Sequence, residues 1–424
     1  MRDLSIYIHI PFCVRKCLYC DFLSFAMPAW QEEAMAFDRE WPGEGLSYTE
    51  IGEAGCGREK EIENVIRYGS LLKKEIIAQA EKYRDHQVIS IFWGGGTPSL
   101  LGTGMVQELM GVIHRYYAVI PEAEVTMEAN PGTVTAQKLR GYITAGINRL
   151  SIGLQSTFDQ ELKRIGRIHD YRTFLETYRL AREAGFHNIN IDLMAALPGQ
   201  SVASYAETLH RVTKLTPEHI SAYSLILEEG TPLYERQEEY QFPDEEEERE
   251  MYLLTEQSLA ACGYRRYEIS NYARKGYECR HNKVYWQRGD YIGFGLGAAS
   301  MVGNVRWSNP SQFGEYETYV ISQEQKEKTA LCQKTETEGG EALPVQILTR
   351  QEQMEEFMFL GLRMMCGVSR EMFYKLYGQR IEKVYGTILD KLYAQKLLVC
   401  ENDVIRLTPK GIDVSNYVMA QFLF

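Results

Sequence analysis

The stretch YIHIPFCVRKCLYCDF, residues 7–22, places Cys13, Cys17 and Cys20 within eight residues, directly after an apolar, β-branched run that reads as a strand. Three thiols spaced x3 then x2 on one loop can wrap a single soft metal centre. Structural zinc normally closes with four ligands, commonly two separated Cys/His pairs, and no second pair follows here. His9 is the nearest fourth donor, but it falls inside the strand pattern. An iron–sulfur cubane held by three thiolates instead leaves one iron open to a ligand from outside the protein.

Working outward, the loop follows the first of six β-rich runs: SIYIHI from Ser5, VISIFW from Val88, EVTMEA from Glu124, RLSIGL from Arg149, INIDLM from Ile189 and HISAYSLIL from His219. Amphipathic helical patterns separate them, so strand and helix alternate as in βα units around a parallel sheet. The first unit carries an excess between about residues 27 and 62, rich in Gly and charge, which reads as a surface insertion. After Tyr234 the alternation stops. The acidic run from Pro243 reads as a helix N-terminus favoured by the helix dipole. The aromatic, Gly-rich stretch that includes HNKVYW, residues 281–286, reads as loops and short strands. A polar stretch at 322–344 marks a boundary, and helices followed by two short apolar runs around residues 401–403 predict a winged-helix-like unit. The expected organisation is a barrel unit over 1–234, an extension over 235–321 and a C-terminal domain over 345–424.

A chain of 424 residues is long enough for two or three such units without disulfide staples. Nine cysteines in a chain of ordinary composition point to a reducing compartment, and the absence of a leader pattern or long apolar run to a cytoplasmic protein. A net charge of −12 argues against nucleic acid as partner, because affinity for phosphate comes mainly from Lys and Arg.

The Cx3CxxC spacing resembles the signature loop of the radical S-adenosylmethionine superfamily, and the six βα units match its partial (β/α)6 barrel. The resemblance implies a 4Fe-4S cluster on Cys13, Cys17 and Cys20, with S-adenosylmethionine chelating the open iron. GGGTPS, residues 94–99, follows the second strand. Its glycines let a backbone approach a ligand closely, and Gly94, Gly95, Gly96 and Thr97 match the segment that meets the methionine amino group. Polar residues stand at strand ends where turn formers would be expected. By resemblance to oxygen-independent coproporphyrinogen III oxidases and their relatives, Glu128 and Arg167 hold the methionine end, and Gln155 and Asp192 the ribose. Tyr19 lies near the adenine, and Tyr7 and Phe22 complete the cofactor set. Asp192 sits in an apolar run, where burial without a partner costs several kcal/mol, and a ligand hydroxyl is the expected partner.

Within that superfamily the oxidases usually carry a longer leading segment and a further cysteine two residues after the third. Here twelve residues precede Cys13, and Phe22 takes the later position. CDF and HNKVYW together are similar to the heme chaperone group called HemW, whose HNxxYW motif binds heme. The resemblance implies heme as ligand, with His281 or Cys279 on the iron, and acceptor hemoproteins as partners, membrane-associated respiratory proteins among them. The alternative is an oxidase that converts porphyrinogen propionates to vinyl groups.

Overall fold

In the computed structural model, which describes residues 1–27, 57–332 and 343–423, the six apolar runs become adjacent parallel strands of one sheet. They are β1 (Arg2–Ile10), β2 (His86–Gly95), β3 (Ala118–Ala129), β4 (Arg149–Gln155), β5 (Ile189–Ala195) and β6 (His219–Ser224). Period-two alternation sorts their faces. In β1, Leu4, Ile6, Ile8 and Ile10 are fully buried in the main core, whereas Ser5, Tyr7 and His9 face the barrel interior, Ser5 bonding Ser90 of β2 at 2.7 Å. Helices α1 (Gly57–Gln79), α2 (Thr103–Tyr116), α3 (Ala136–Thr144), α4 (Tyr171–Ala184) and α5 (Val202–Lys214) supply the crossovers. Their starts are locally encoded: Thr135, Asp170 and Ser201 each accept a hydrogen bond from a backbone N–H of the first turn.

The sheet runs past the barrel at both ends to twelve strands. Beyond β6 lie β7 (Arg265–Glu268) and β8 (Asn271–Ala273), with β8 antiparallel to both β6 and β7. On the other side β1 pairs in parallel with β9 (Tyr291–Phe294), followed by antiparallel β10 (Ala299–Val302), β11 (Val305–Ser308) and β12 (Val345–Ile347). The acidic run opens α6 (Glu245–Ala261), where Asp244 and Glu247 form a reciprocal cap.

Three expectations need correction. The run from His219 leaves the sheet at Ser224, short of Leu227. HNKVYW belongs to a helix, α7 (Arg280–Trp286), and not to a loop, because Glu124 of β3 caps its start: the carboxylate accepts from the N–H groups of Arg280 at 3.0 Å and His281 at 3.2 Å. The polar stretch after Ser322 begins inside α8 (Phe313–Cys332). Residues 333–342 and most of the 27–62 insertion lie outside the described residues, with α1 beginning at Gly57.

The C-terminal unit has its own core, including Met358, Phe373, Ile381, Leu389 and Ile405. Helices α9 (Arg350–Gly361), α10 (Arg370–Tyr377) and α11 (Ile381–Ala394) pack with a sheet of β13 (Val368–Ser369), β14 (Leu398–Glu401) and β15 (Val404–Leu407), in the order β13-β15-β14. This is a winged-helix-type arrangement. Among the described residues no helix is long and apolar enough to cross a membrane.

Candidate cofactor site at the barrel mouth

The cysteine loop leaves the carboxyl end of β1, the end at which sites in such barrels form. Phe12–Cys13 pairs with Phe25–Ala26, so the loop doubles back on itself. Its middle is held by Leu18, whose N–H donates to the Ile165 carbonyl at 3.0 Å and whose carbonyl accepts from Leu233 at 2.9 Å. GGGTPS clamps the base: Gly96 N–H donates to the Ile10 carbonyl at 2.8 Å and Thr97 N–H to the Phe12 carbonyl at 2.7 Å. His9 Nε2 meets the Leu23 carbonyl at 2.8 Å, so Nε2 carries the proton and Nδ1 accepts from the Tyr7 hydroxyl at 3.0 Å.

The glycines serve this packing. A Cβ on Gly95, whose φ is +104°, would fall 2.4 Å from the His9 ring, and one on Gly96 would fall 2.6 Å from the Phe12 carbonyl oxygen. At these two positions the close approach is made by the protein's own β1 and by the start of the cluster loop. Gly94 faces Tyr7, Phe92 and Glu128.

Cys13 is buried, and Cys17 and Cys20 are half-buried. Thr97 Oγ1 donates to Cys13 Sγ and Arg167 Nη1 to Cys17 Sγ, each at 3.5 Å. Burial pushes the Cys13 thiol up, and the Cys20 thiol up to about 11, a cost that bonding to a cationic centre offsets. Among the described residues no three His, Cys, Asp or Glu side chains converge as for a single metal ion. The fit therefore rests on the three soft donors and on the polar groups set around them.

Those groups form a chain across the ends of β2, β3 and β4. Thr97 Oγ1 accepts from Asn130 Nδ2 at 2.8 Å, Asn130 Oδ1 accepts from Arg167 Nη2 at 2.7 Å, and Arg167 also binds the Gly153 carbonyl. Burial opposes the Arg167 charge, yet Cys17, Tyr19 and Asp192 together raise its pKa. Arg167 Nε and Gln155 Oε1 are both buried without a hydrogen-bond partner. Such orphans cost on the order of 1–3 kcal/mol each, which a bound polar ligand removes. Gln155 also holds φ at +71°, a strained value for its residue type. Glu128 is pushed up to about 8 by burial and by Asp192, against the Gly95 N–H that it accepts. A ligand ammonium beside it reverses that shift.

Asp192 does not lack partners: Asn190 Nδ2 donates to one oxygen at 2.7 Å and Ser151 Oγ to the other at 3.2 Å. The protein thus supplies two donors to this carboxylate that the apolar run did not reveal. Tyr19 packs with Leu18 against Ile165, Met194, Leu197 and Leu233. Phe22 is 63% exposed on the outer turn of the loop. Asn130, the link between Thr97 and Arg167, escaped the sequence reading because Asn-Pro-Gly after a strand is ordinary turn composition.

His281 stands apart from this cluster. It is 2% exposed inside the barrel, stacked on Phe92 with ring centroids 5.1 Å apart. Nδ1 bonds Ser90 Oγ at 3.0 Å and Nε2 bonds Tyr285 OH at 2.9 Å, so neither nitrogen is open to an iron in this conformation. Burial and the nearby Arg149 lower its pKa to about 3. Cys279 is also fully buried, its thiol 3.3 Å from Glu124.

A three-thiol loop on β1, with convergent polar strand ends on a partial parallel barrel, defines a radical S-adenosylmethionine protein, a superfamily whose members hold a 4Fe-4S cluster and that cofactor. The Radical SAM superfamily model matches residues 7–212, and that of the HemN C-terminal domain residues 348–414. The chain is 33% identical over 422 residues to the heme chaperone HemW of Bacillus subtilis, covering 99% of each, and 38% identical over 302 residues to that of Escherichia coli, covering 71% of each. It belongs to the heme chaperone HemW family. The coproporphyrinogen III oxidase HemN of Escherichia coli shares the fold, with a TM-score of 0.77 at 22% identity over 99% of this chain and 90% of that one.

Proposed function

We propose that this chain binds heme and passes it to acceptor hemoproteins, membrane-associated respiratory proteins among them, while holding a 4Fe-4S cluster and S-adenosylmethionine at the barrel mouth. The observation that carries this reading is its relationship over 99% of both chains to a curated heme chaperone. Cys13, Cys17 and Cys20 hold the cluster. When bound, the cluster offers an open iron corner and one-electron chemistry.

Around that corner the chain's own residues bind and orient. Arg167, fixed by Asn130 and Gly153, turns its unpartnered Nε to a carboxylate. Glu128 faces the amino group with Gly94, Gly95, Gly96 and Thr97 at its side. Gln155 and Asp192 take ribose hydroxyls, and Tyr7, Tyr19 and Phe22 give apolar surface to the remainder. The HemN-like fold supports a second reading, porphyrinogen decarboxylation.

One anaerobic preparation separates the two. With the cluster reconstituted in the full chain, hemin titration is expected to give saturable binding, and coproporphyrinogen III to come back unchanged. Efficient formation of vinyl products would overturn the chaperone reading. Replacing any one of the three cysteines by Ala should abolish cluster absorbance under either reading.

A further inference from the structure

Arg149 opens β4, and its register partner on β3 is Thr126. Period-two alternation places Leu150, Ile152 and Leu154 in the main core and turns Arg149, with Ser151, Gly153 and Gln155, into the barrel. Arg149 is 2% exposed. Its one hydrogen bond among the described residues is long, 3.5 Å from Nη1 to Thr126 Oγ1, and its Nε is buried without a partner. Among the described residues no carboxylate lies within 4.0 Å of the guanidinium.

Glu124 and Asp192 act on it from farther away, and both are engaged elsewhere. Glu124 accepts from the Arg280 and His281 N–H groups and the Cys279 thiol at the start of α7, and Asp192 accepts from Asn190 and Ser151. Burial opposes the Arg149 charge, yet Cys279, Glu124, Tyr267 and Asp192 together raise its pKa, so it stays cationic. A charge taken into an interior is costly unless it is paired and hydrogen-bonded. The chain's own residues leave this guanidinium uncompensated.

The anion that suits it is not the carboxylate of S-adenosylmethionine. Arg167 faces that group at the mouth, whereas Arg149 lies six residues before Gln155 on β4, about 20 Å toward the other end of the strand. At that end it stands close enough to the start of α7 for its charge to lower the pKa of both Cys279 and His281, the two candidate iron ligands.

We propose that Arg149 is the anion subsite of a heme site on α7 and pairs with a propionate carboxylate of the bound heme. The proposal rests on the heme-chaperone reading. A guanidinium binds a carboxylate through two parallel hydrogen bonds, which fixes orientation as well as affinity. Here it selects the edge of the macrocycle that enters the barrel and so aims the iron at HNKVYW. Helix α7, seven residues long, cannot hold its form alone, and it is the wall that moves as the ligand enters.

The test uses the full chain with its cluster reconstituted, titrated in one detergent buffer with hemin and with hemin dimethyl ester, which has no free carboxylate. Wild type is expected to bind hemin at least ten-fold more tightly than the ester. Arg149→Met is expected to lose that preference by weakening hemin alone, and Arg149→Lys to keep part of it. Unchanged cluster absorbance, with a urea midpoint no lower than that of wild type, reports an intact fold, because the apolar side chain removes a buried charge. Equal weakening of hemin and ester in Arg149→Met would make the residue structural and overturn the proposal. A preference that both variants retain would overturn it too, and wild type that binds the two ligands equally would do so without any variant. In each of these cases the heme-chaperone reading stands. Absence of heme binding by the wild type would overturn that reading together with the proposal.

Discussion

At the scale of single residues, Asn130 is the position whose removal says most about the mouth. It joins Thr97 to Arg167 through two hydrogen bonds, and Arg167 in turn reaches Cys17. Asn130→Ala is expected to leave the three thiols and cluster absorbance in place while weakening S-adenosylmethionine binding about ten-fold, the worth of roughly one well-made hydrogen bond to a charged group. Isothermal titration on reconstituted protein reads it directly, and unchanged affinity would show that Arg167 is held by Gly153 and Cys17 alone. The contrast with the cysteines explains what was legible. Cys13, Cys17 and Cys20 announce themselves because a metal loop needs rare residues at fixed spacing. Asn130 does not, since its partners lie 33 and 37 positions away in the chain. Asp192 is the converse case: its apolar neighbours on β5 gave no sign of Asn190 and Ser151, which both donate to it.

Among the elements, α1 shows how a helix can carry a buried charge that its pattern conceals. Glu75 follows Lys73 and Lys74 in the chain, yet it is 1% exposed and accepts from Tyr316 OH at 2.7 Å, Asn309 Nδ2 at 2.6 Å and Gly295 N–H at 2.8 Å. Through Tyr68, whose hydroxyl donates to the His9 carbonyl at 2.7 Å and accepts from Leu296 N–H at 2.9 Å, the same helix also ties β1 to the turn after β9. Burial pushes Glu75 up to about 7 against those three donors. The folded chain therefore retains a proton that the unfolded chain releases, so this contribution is full below about pH 4.5 and is lost as the pH rises to about 7. Glu75→Gln should lack this loss: the stability of the variant relative to wild type should rise by roughly 3 kcal/mol across that window in urea titrations. A flat difference would mean that Glu75 is ionised throughout. The six barrel strands were legible because alternation and length are local properties. Helix α7 was not, because seven residues cannot nucleate a helix alone and its cap, Glu124, comes from 157 positions earlier.

For the whole molecule, two cores meet across a small charged seam. Glu356 of α9, 6% exposed, pairs with Arg288 at 2.8 Å and Arg306 at 2.6 Å. Glu268 of β7 pairs with Arg363 at 3.3 Å, and Arg363 lies over the Trp286 ring of HNKVYW at 4.3 Å. Removing the shared acid strands two guanidinium groups, one of them nearly buried. Glu356→Ala is thus expected to cost about 3 kcal/mol and to raise amide exchange in α9 ahead of the barrel strands. Equal exchange in both would show that the units unfold together without this seam. The pairing of β1 carries a further consequence, for biosynthesis. One side of β1 takes β2, but the other takes β9, in the register Ser5 with Tyr291, and the Tyr68 hydroxyl that grips the His9 carbonyl is completed by Leu296. At the roughly 5–20 residues per second of translation, the first strand waits tens of seconds for its last neighbour. The cysteine loop leaves the ribosome well ahead of Ile165, Leu233 and β9, which anchor it and its strand, so its finished form exists only in a chain whose barrel has already been made.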